Sequence, residues 1–239
     1  MIINVHAGHN PDGKVACGAV GLIRESTEAR KIKDEVVTQL RQLGHTVNDC
    51  TVNDGTSKED VLRKIVKKCN EHKVDLDVSI HLNCSANDKV GNGKTTGTEV
   101  LLYSNASRAY EYAENVCKAF SLLGFKNRGI KYNPKLYVLR HTNAPAMLVE
   151  ACFVDDKDDV ELYDYKSAAE AIVYGITGQY VQEEPEEELD NEEEYVETEV
   201  GETGKTYRVQ VGAYGVKVNA ENMKKALEKA GFKCFITQA

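Results

Sequence analysis

The stretch Asp75-Leu76-Asp77-Val78-Ser79-Ile80-His81-Leu82-Asn83 constrains the fold more than any other segment. Leu76, Val78, Ile80 and Leu82 give it the apolar density of a strand buried in a parallel sheet. Its carboxyl end is polar. Open α/β sheets deliver ligands at that edge, so His81 is either a site residue or a structural histidine. The choice depends on whether other segments bring chemistry to the same edge.

Ile2–Val5 reads as a first strand, followed by a loop from Ala7 to Arg24 that is longer than a strand-to-helix connection needs. Ser26 and Thr27 are candidate caps for a helix reaching Leu43, with Ile32, Val36, Leu40 and Leu43 on one face and Gly44 as its stop. His45–Cys50 is a second strand, and Thr56-x-x-Glu59 resembles a capping box before a helix carrying Val61, Leu62, Ile65 and Val66. Past a polar loop with Gly91, Gly93 and Gly97, strands are expected at Thr98–Tyr103, Leu136–Leu139 and Ala146–Glu150. Helices are expected at Ser107–Leu123 and Ser167–Tyr180. This alternation predicts an α/β fold, a twisted, mostly parallel sheet with helices on both faces.

Charge divides the chain. Between Glu183 and Glu202 there are twelve acidic residues and no basic one, whereas residues 203–239 carry seven basic and two acidic groups. An acidic run with Pro185 and few apolar side chains cannot bury enough surface to fold and reads as a solvated linker. The expected organisation is a larger domain over 1–181, a linker over 182–204 and a small C-terminal unit over 205–239. With 41% hydrophobic and 28% charged residues, the chain can bury a sizeable core. No basic stripe with interleaved aromatics marks a nucleic-acid binder. Met1 runs directly into strand residues, so neither a secretory leader nor a membrane span is expected and synthesis is assigned to the cytoplasm. Seven scattered cysteines without CxxC spacing read as reduced thiols.

Three more polar residues fall on the carboxyl side of the predicted sheet: His9 in the first loop, Glu25 at the start of the first helix and Glu150 after Met147-Leu148-Val149. Each alone has an ordinary reading, Glu25 as a first-turn acid favoured by the helix dipole and Glu150 as a strand end. Together with His81 they supply two imidazoles and a carboxylate, the donor set of a catalytic zinc site with one open position, and a second carboxylate to move protons. Their separation in sequence does not fix which residues are ligands. A cysteine hydrolase using Cys84 or Cys152 with His81 is a weaker alternative, because thiols in apolar runs such as Ala151-Cys152-Phe153 are usually inert.

Six segments, in order, resemble the landmarks of the zinc-dependent N-acetylmuramoyl-L-alanine amidases of the amidase-3 type. They are Val5-His6-Ala7-Gly8-His9, Gly21-Leu22-Ile23-Arg24-Glu25, Asp77 to Asn83, Asn127-Arg128-Gly129, Leu136 to Arg140 and Pro145 to Glu150. The resemblance covers about residues 1–180. It implies a zinc ion held by His9, Glu25 and His81, with Glu150 as catalytic acid and base and with Asn83 and Arg140 facing substrate. The implied reaction is hydrolysis of the amide between N-acetylmuramic acid and L-alanine in peptidoglycan, as a phage endolysin acting on the wall after release. A host autolysin of the same activity and a non-catalytic wall-binding protein are the alternatives. One position departs from the family's Asp-x-Gly-His pattern: His6 replaces the aspartate, as an outer-sphere group or a competing ligand.

The tail has a pattern of its own: Tyr207–Tyr214 as a strand, a helix with Met223, Leu227 and Ala230, then a strand from Cys234 to Ile236. This βαβ unit resembles the first half of a SPOR repeat, which implies peptidoglycan binding. Because half a module has an open edge, a homodimer through this unit is the competing expectation.

Overall fold

The structure, a computed structural model, describes residues 1–181, 217–229 and 231–237. The strands are β1 Ile2–Ala7, β2 Thr46–Asp49, β3 Leu76–Asn83, β4 Thr98–Leu102, β5 Asn127–Tyr132 and β6 Ala146–Phe153. They form one sheet in the order β2-β1-β3-β6-β4-β5. β2, β1, β3 and β6 are mutually parallel, β4 runs antiparallel to β6, and β5 follows β4 in parallel. The helices are α1 Glu25–Gln42, α2 Lys58–Asn70, α3 Tyr110–Leu122, α4 Tyr137–His141, α5 Lys157–Leu162, α6 Tyr165–Thr177 and α7 Lys217–Lys229.

The strand period of two sorts side chains between the two faces. Ile3, Val5, Val78, Ile80, Met147 and Val149 face Ile32, Val36 and Leu40 of α1, Phe120 of α3 and Ile172 of α6, in one apolar core. Fully burying a side chain of this size stabilises the fold by roughly 1.5–3 kcal/mol, so this face supplies most of the domain's cohesion. The intervening residues, His6, Ser79, His81, Leu148 and Glu150, face α2 and α4. There a smaller apolar cluster joins Leu148 to Val61, Ile65 and Val138.

Several expected boundaries move. Neither Ser26 nor Thr27 caps α1. Arg24 occupies the cap position without a side-chain bond, and the first turn is tied down by Glu25, whose N–H donates to the Ala19 carbonyl at 3.0 Å. The capping box shifts by one residue: Ser57 Oγ accepts the Asp60 N–H at 3.2 Å and the Asp60 carboxylate accepts the Thr56 N–H at 3.0 Å. Leu136–Leu139, expected as a strand, lies at the start of the helix α4, because a four-residue apolar run fits a buried helical turn as well as a strand. β5 and α5 were not anticipated. α3 begins only at Tyr110, and α6 starts at Tyr165 behind an Asp164 cap and ends at Gly178, in the left-handed conformation at φ 70°.

In the tail, α7 covers Met223 and Leu227, while the predicted strand Tyr207–Tyr214 and Ala230 lie outside the described residues. Residues 232–237, expected to contain a strand from Cys234 to Ile236, are irregular. A strand exists only by pairing, and its expected partner is the segment that lies outside the described residues.

Candidate metal centre and active site

Three segments converge at the carboxyl end of β1 and β3. The loop after β1 presents His9, the first turn of α1 presents Glu25, and β3 presents His81. Glu25 Oε1 lies 3.0 Å from His9 Nε2 and 2.9 Å from His81 Nδ1, and the three donor atoms all fall within 4.8 Å of one another. The other oxygen, Glu25 Oε2, accepts the Ala19 N–H at 2.7 Å. The two imidazoles meet edge to face at 4.8 Å between centroids. Two glycines make the convergence sterically feasible. A Cβ on Gly8 would lie 2.0 Å from His81 Cε1, and one on Gly18, at φ +80°, would lie 2.6 Å from Glu25 Oε2.

The electrostatics suit a cation. Burial disfavours the charge on Glu25, but hydrogen bonds with His81 and His9 outweigh it and hold this carboxyl well below the usual range. Burial lowers His81, the more so with His9 close by, and outweighs the opposing pull of Glu25, so its imidazole is kept neutral. A charged carboxylate and a neutral imidazole are the protonation states that metal ligation requires.

His6 stands apart from this donor group. It is 1% exposed, and burial, the largest cause, pushes its pKa down to about 3. Its Nδ1 has no hydrogen-bond partner among the described residues. It pairs across the sheet with Ser79 in the layer behind the ligands.

Glu150 is the cross-strand neighbour of His81 on one side and of Glu99 on the other. Burial, then the charges of Glu25 and Glu99, pushes its pKa up to about 8, and its Oε2 has no hydrogen-bond partner among the described residues. Immediately beyond this pair the β3–β6 register slips, β6 gaining one extra residue between Glu150 and Phe153. Such bulges commonly re-aim side chains beside a site.

A cavity of about 400 Å³ opens onto these groups, with His6, His9, Glu25, His81 and Glu150 in its lining. Val61, Leu62 and Ile65 of α2 and Leu136, Tyr137 and Val138 at α4 form its apolar walls, and Lys58 and Lys135 also line it. Asn83 is in the lining too, with its amide donated to Glu99 Oε1 at 3.0 Å. Arg140, exposed on α4, is not part of the lining. The Glu99 carboxylate also accepts from Arg128 Nε at 2.7 Å, and that guanidinium lies 5.0 Å above the Phe153 ring. The sequence signal for Glu99 is an acid inside the apolar run from Thr98 to Tyr103, and Arg128 lies in the Asn127-Arg128-Gly129 landmark. Cys152 is fully buried in the main core and its thiol is pushed far above the usual range, first by burial; burial likewise raises Cys84. Neither thiol is prepared as a nucleophile.

Fold and donor set thus define an α/β protein with a His-Glu-His group able to hold a metal ion beside a protonatable carboxylate. The chain belongs to the N-acetylmuramoyl-L-alanine amidase family of the amidase-3 type, whose family model matches residues 2–178. A SPOR domain model matches residues 189–238. An uncharacterised protein of Clostridium perfringens is 37% identical over 167 residues, covering 70% of this chain and 48% of that protein. The endolysin of Bacillus phage SPP1 is 30% identical, covering 67% of this chain and 58% of its own length. Among solved structures, the catalytic domain of the CD27L endolysin superposes with a TM-score of 0.65 at 28% identity, covering 76% of this chain and 99% of that one. This chain spans about half the length of the Clostridium perfringens relative. No helix among the described residues is long and apolar enough to cross a membrane.

Proposed function

We propose that the protein hydrolyses the amide bond between N-acetylmuramic acid and L-alanine in peptidoglycan, with a zinc ion held by His9, Glu25 and His81. The observation that carries the proposal is the convergence of those three donors on one cavity with a buried, partnerless carboxylate oxygen at Glu150. Zinc in such a site supplies Lewis acidity, polarising an amide carbonyl and making water acidic enough to attack near neutral pH.

The protein's own groups do the rest. Glu150, buried at the cavity wall beside His81, is placed as a carboxylate to accept the proton of the attacking water and then to deliver it to the amine that leaves. Glu99 keeps Asn83 and Arg128 in place beside it. The apolar walls from α2 and α4 exclude bulk water, which strengthens every charge interaction inside. Asn83 within the cavity is a proposed substrate contact, and Arg140 on exposed α4 is one for a polymer that extends past the cavity.

The proposed organisation keeps the catalytic domain at 1–181, the spacer at 182–204 and a wall-binding unit at 205–239. The role is that of an endolysin, the chemistry being the same in a host autolysin. The SPOR match favours wall tethering over dimerisation for the tail. Mass spectrometry of cell walls digested with zinc-loaded protein tests the reaction: new free L-alanine amines are expected, and their absence would refute it. A chain ending at Val181 should cleave soluble muropeptides as fast as the whole protein yet act more slowly on whole walls at low dose, where tethering raises local concentration.

A further inference from the structure

Arg30 lies on α1, five residues beyond Glu25, where the sequence alone suggests an exposed surface charge. Its guanidinium instead reaches inward to four acceptors from three segments. Nη2 donates to the His9 carbonyl at 3.0 Å, the Val52 carbonyl at 3.1 Å and Asn53 Oδ1 at 2.9 Å; Nη1 donates to the Ser26 carbonyl at 3.0 Å. It thereby ties the backbone of His9 to the residue that follows Glu25.

His9 needs such a tie. Its φ is +65°, in the left-handed region that costs a residue with a side chain about 1 kcal/mol or more unless the surroundings fix it. The following residue is pinned independently. Fully buried Asn10 donates to the carbonyls of Val15 and Gly55 and accepts the Gly55 N–H at 3.0 Å. Arg30 and Asn10 therefore hold the two halves of the turn that aims the His9 ring at Glu25.

We infer that Arg30 is a positioning residue for the metal centre, holding the His9 backbone in its left-handed turn and in register with Glu25. The inference rests on the metal-centre reading above. An arginine suits the task and a lysine does not, because a planar fork with five donors spans divergent carbonyls that a single ammonium cannot.

The test measures Zn²⁺ affinity of the full chain by chelator competition, alongside the thermal midpoint of the metal-free protein. Arg30→Ala should weaken Zn²⁺ binding by about 10- to 100-fold, the range typical of groups that orient metal ligands. Arg30→Lys should recover only part of that loss and keeps the test open should the alanine variant fail to fold. Arg41→Ala serves as control, since Arg41 donates to the Val47 carbonyl from the same helix at 2.9 Å and touches no ligand segment. It should lower the midpoint with unchanged Zn²⁺ affinity. Native Zn²⁺ affinity in both Arg30 variants, or an equal loss in Arg41→Ala, would overturn the role of Arg30. A wild-type chain that takes up no Zn²⁺ would instead overturn the metal-centre reading and the inference with it.

Discussion

The two faces of the sheet are made from alternate residues of the same strands, yet they are built on opposite principles. Toward α1, α3 and α6, side chains such as Val5, Val78 and Val149 are fully buried among other apolar groups. Toward α2 and α4, the neighbours of those residues are His6, Ser79 and Glu150, each with a buried polar atom that no group among the described residues satisfies. Partnerless buried polar atoms are rare because each costs about 1–3 kcal/mol. The difference teaches that the dry face supplies the cohesion and the wet face spends part of it on holding reactive groups out of bulk water.

The sharpest way to break this division is to remove a ligand from the wet face. Glu25→Ala or His81→Ala should abolish both zinc retention and wall hydrolysis, because two remaining protein donors no longer define the site. His6→Ala should be milder, since His6 lies outside the donor group. Elemental analysis after gel filtration checks all three, and zinc lost from His6→Ala but kept by His9→Ala would reassign the ligand.

Second in size is Glu150→Gln, which preserves shape but removes the exchangeable proton. Hydrolysis should slow by roughly 10²- to 10⁴-fold while zinc content stays at one per chain. Steady-state kinetics on soluble muropeptides measures the first quantity. Loss of zinc in that variant would make Glu150 a ligand instead.

The dry face was the more legible of the two. The runs at β1, β3 and β6 and the 3-to-4 spacing of α1 and α2 declare burial directly, and the landmarks around them marked the ligand set. What escaped was whatever depends on a partner distant in sequence. β5, Asn127–Tyr132, is a mostly polar edge strand with little apolar signal, and the antiparallel entry of β4 follows from packing that no local pattern records. Leu136–Leu139 misled because its apolar run is too short to carry a period, which in turn put Arg140 at a strand end when it is exposed on α4. Arg30 looked like any helix-surface cation, since its four acceptors are backbone and side-chain oxygens from three separate segments.

The titration of Glu150 sharpens the comparison at an intermediate scale. In the metal-free protein its carboxyl is raised to about 8, from an ordinary value of 4.5. The folded state therefore holds a proton that the unfolded chain releases, and stability falls as pH rises through that interval. Metal-free wild type should lose on the order of 2–4 kcal/mol between pH 4.5 and 8 from this group. Glu150→Gln should lack that slope and exceed wild-type stability at pH 8. Urea unfolding at several pH values measures it, and parallel profiles for the two proteins would remove burial as the cause.

The smallest expected effect tests the division at its finest grain, with two consecutive residues of β3. Val78 and Ser79 are both buried, at 0% and 2% exposure, but point to opposite faces. Val78→Ala removes two methyl groups from a close-packed core and leaves a void, so a loss of roughly 2 kcal/mol is expected. Ser79→Ala removes a hydroxyl that has no hydrogen-bond partner among the described residues. Deleting an unsatisfied buried polar atom is close to neutral, so the change should stay within about 0.5 kcal/mol. Urea midpoints of the two metal-free variants, at unchanged m-value, give both numbers in one experiment. Equal losses would mean that the hydroxyl is tied into a solvent-bridged network with His6, and the wet face would then contribute to cohesion as the dry face does.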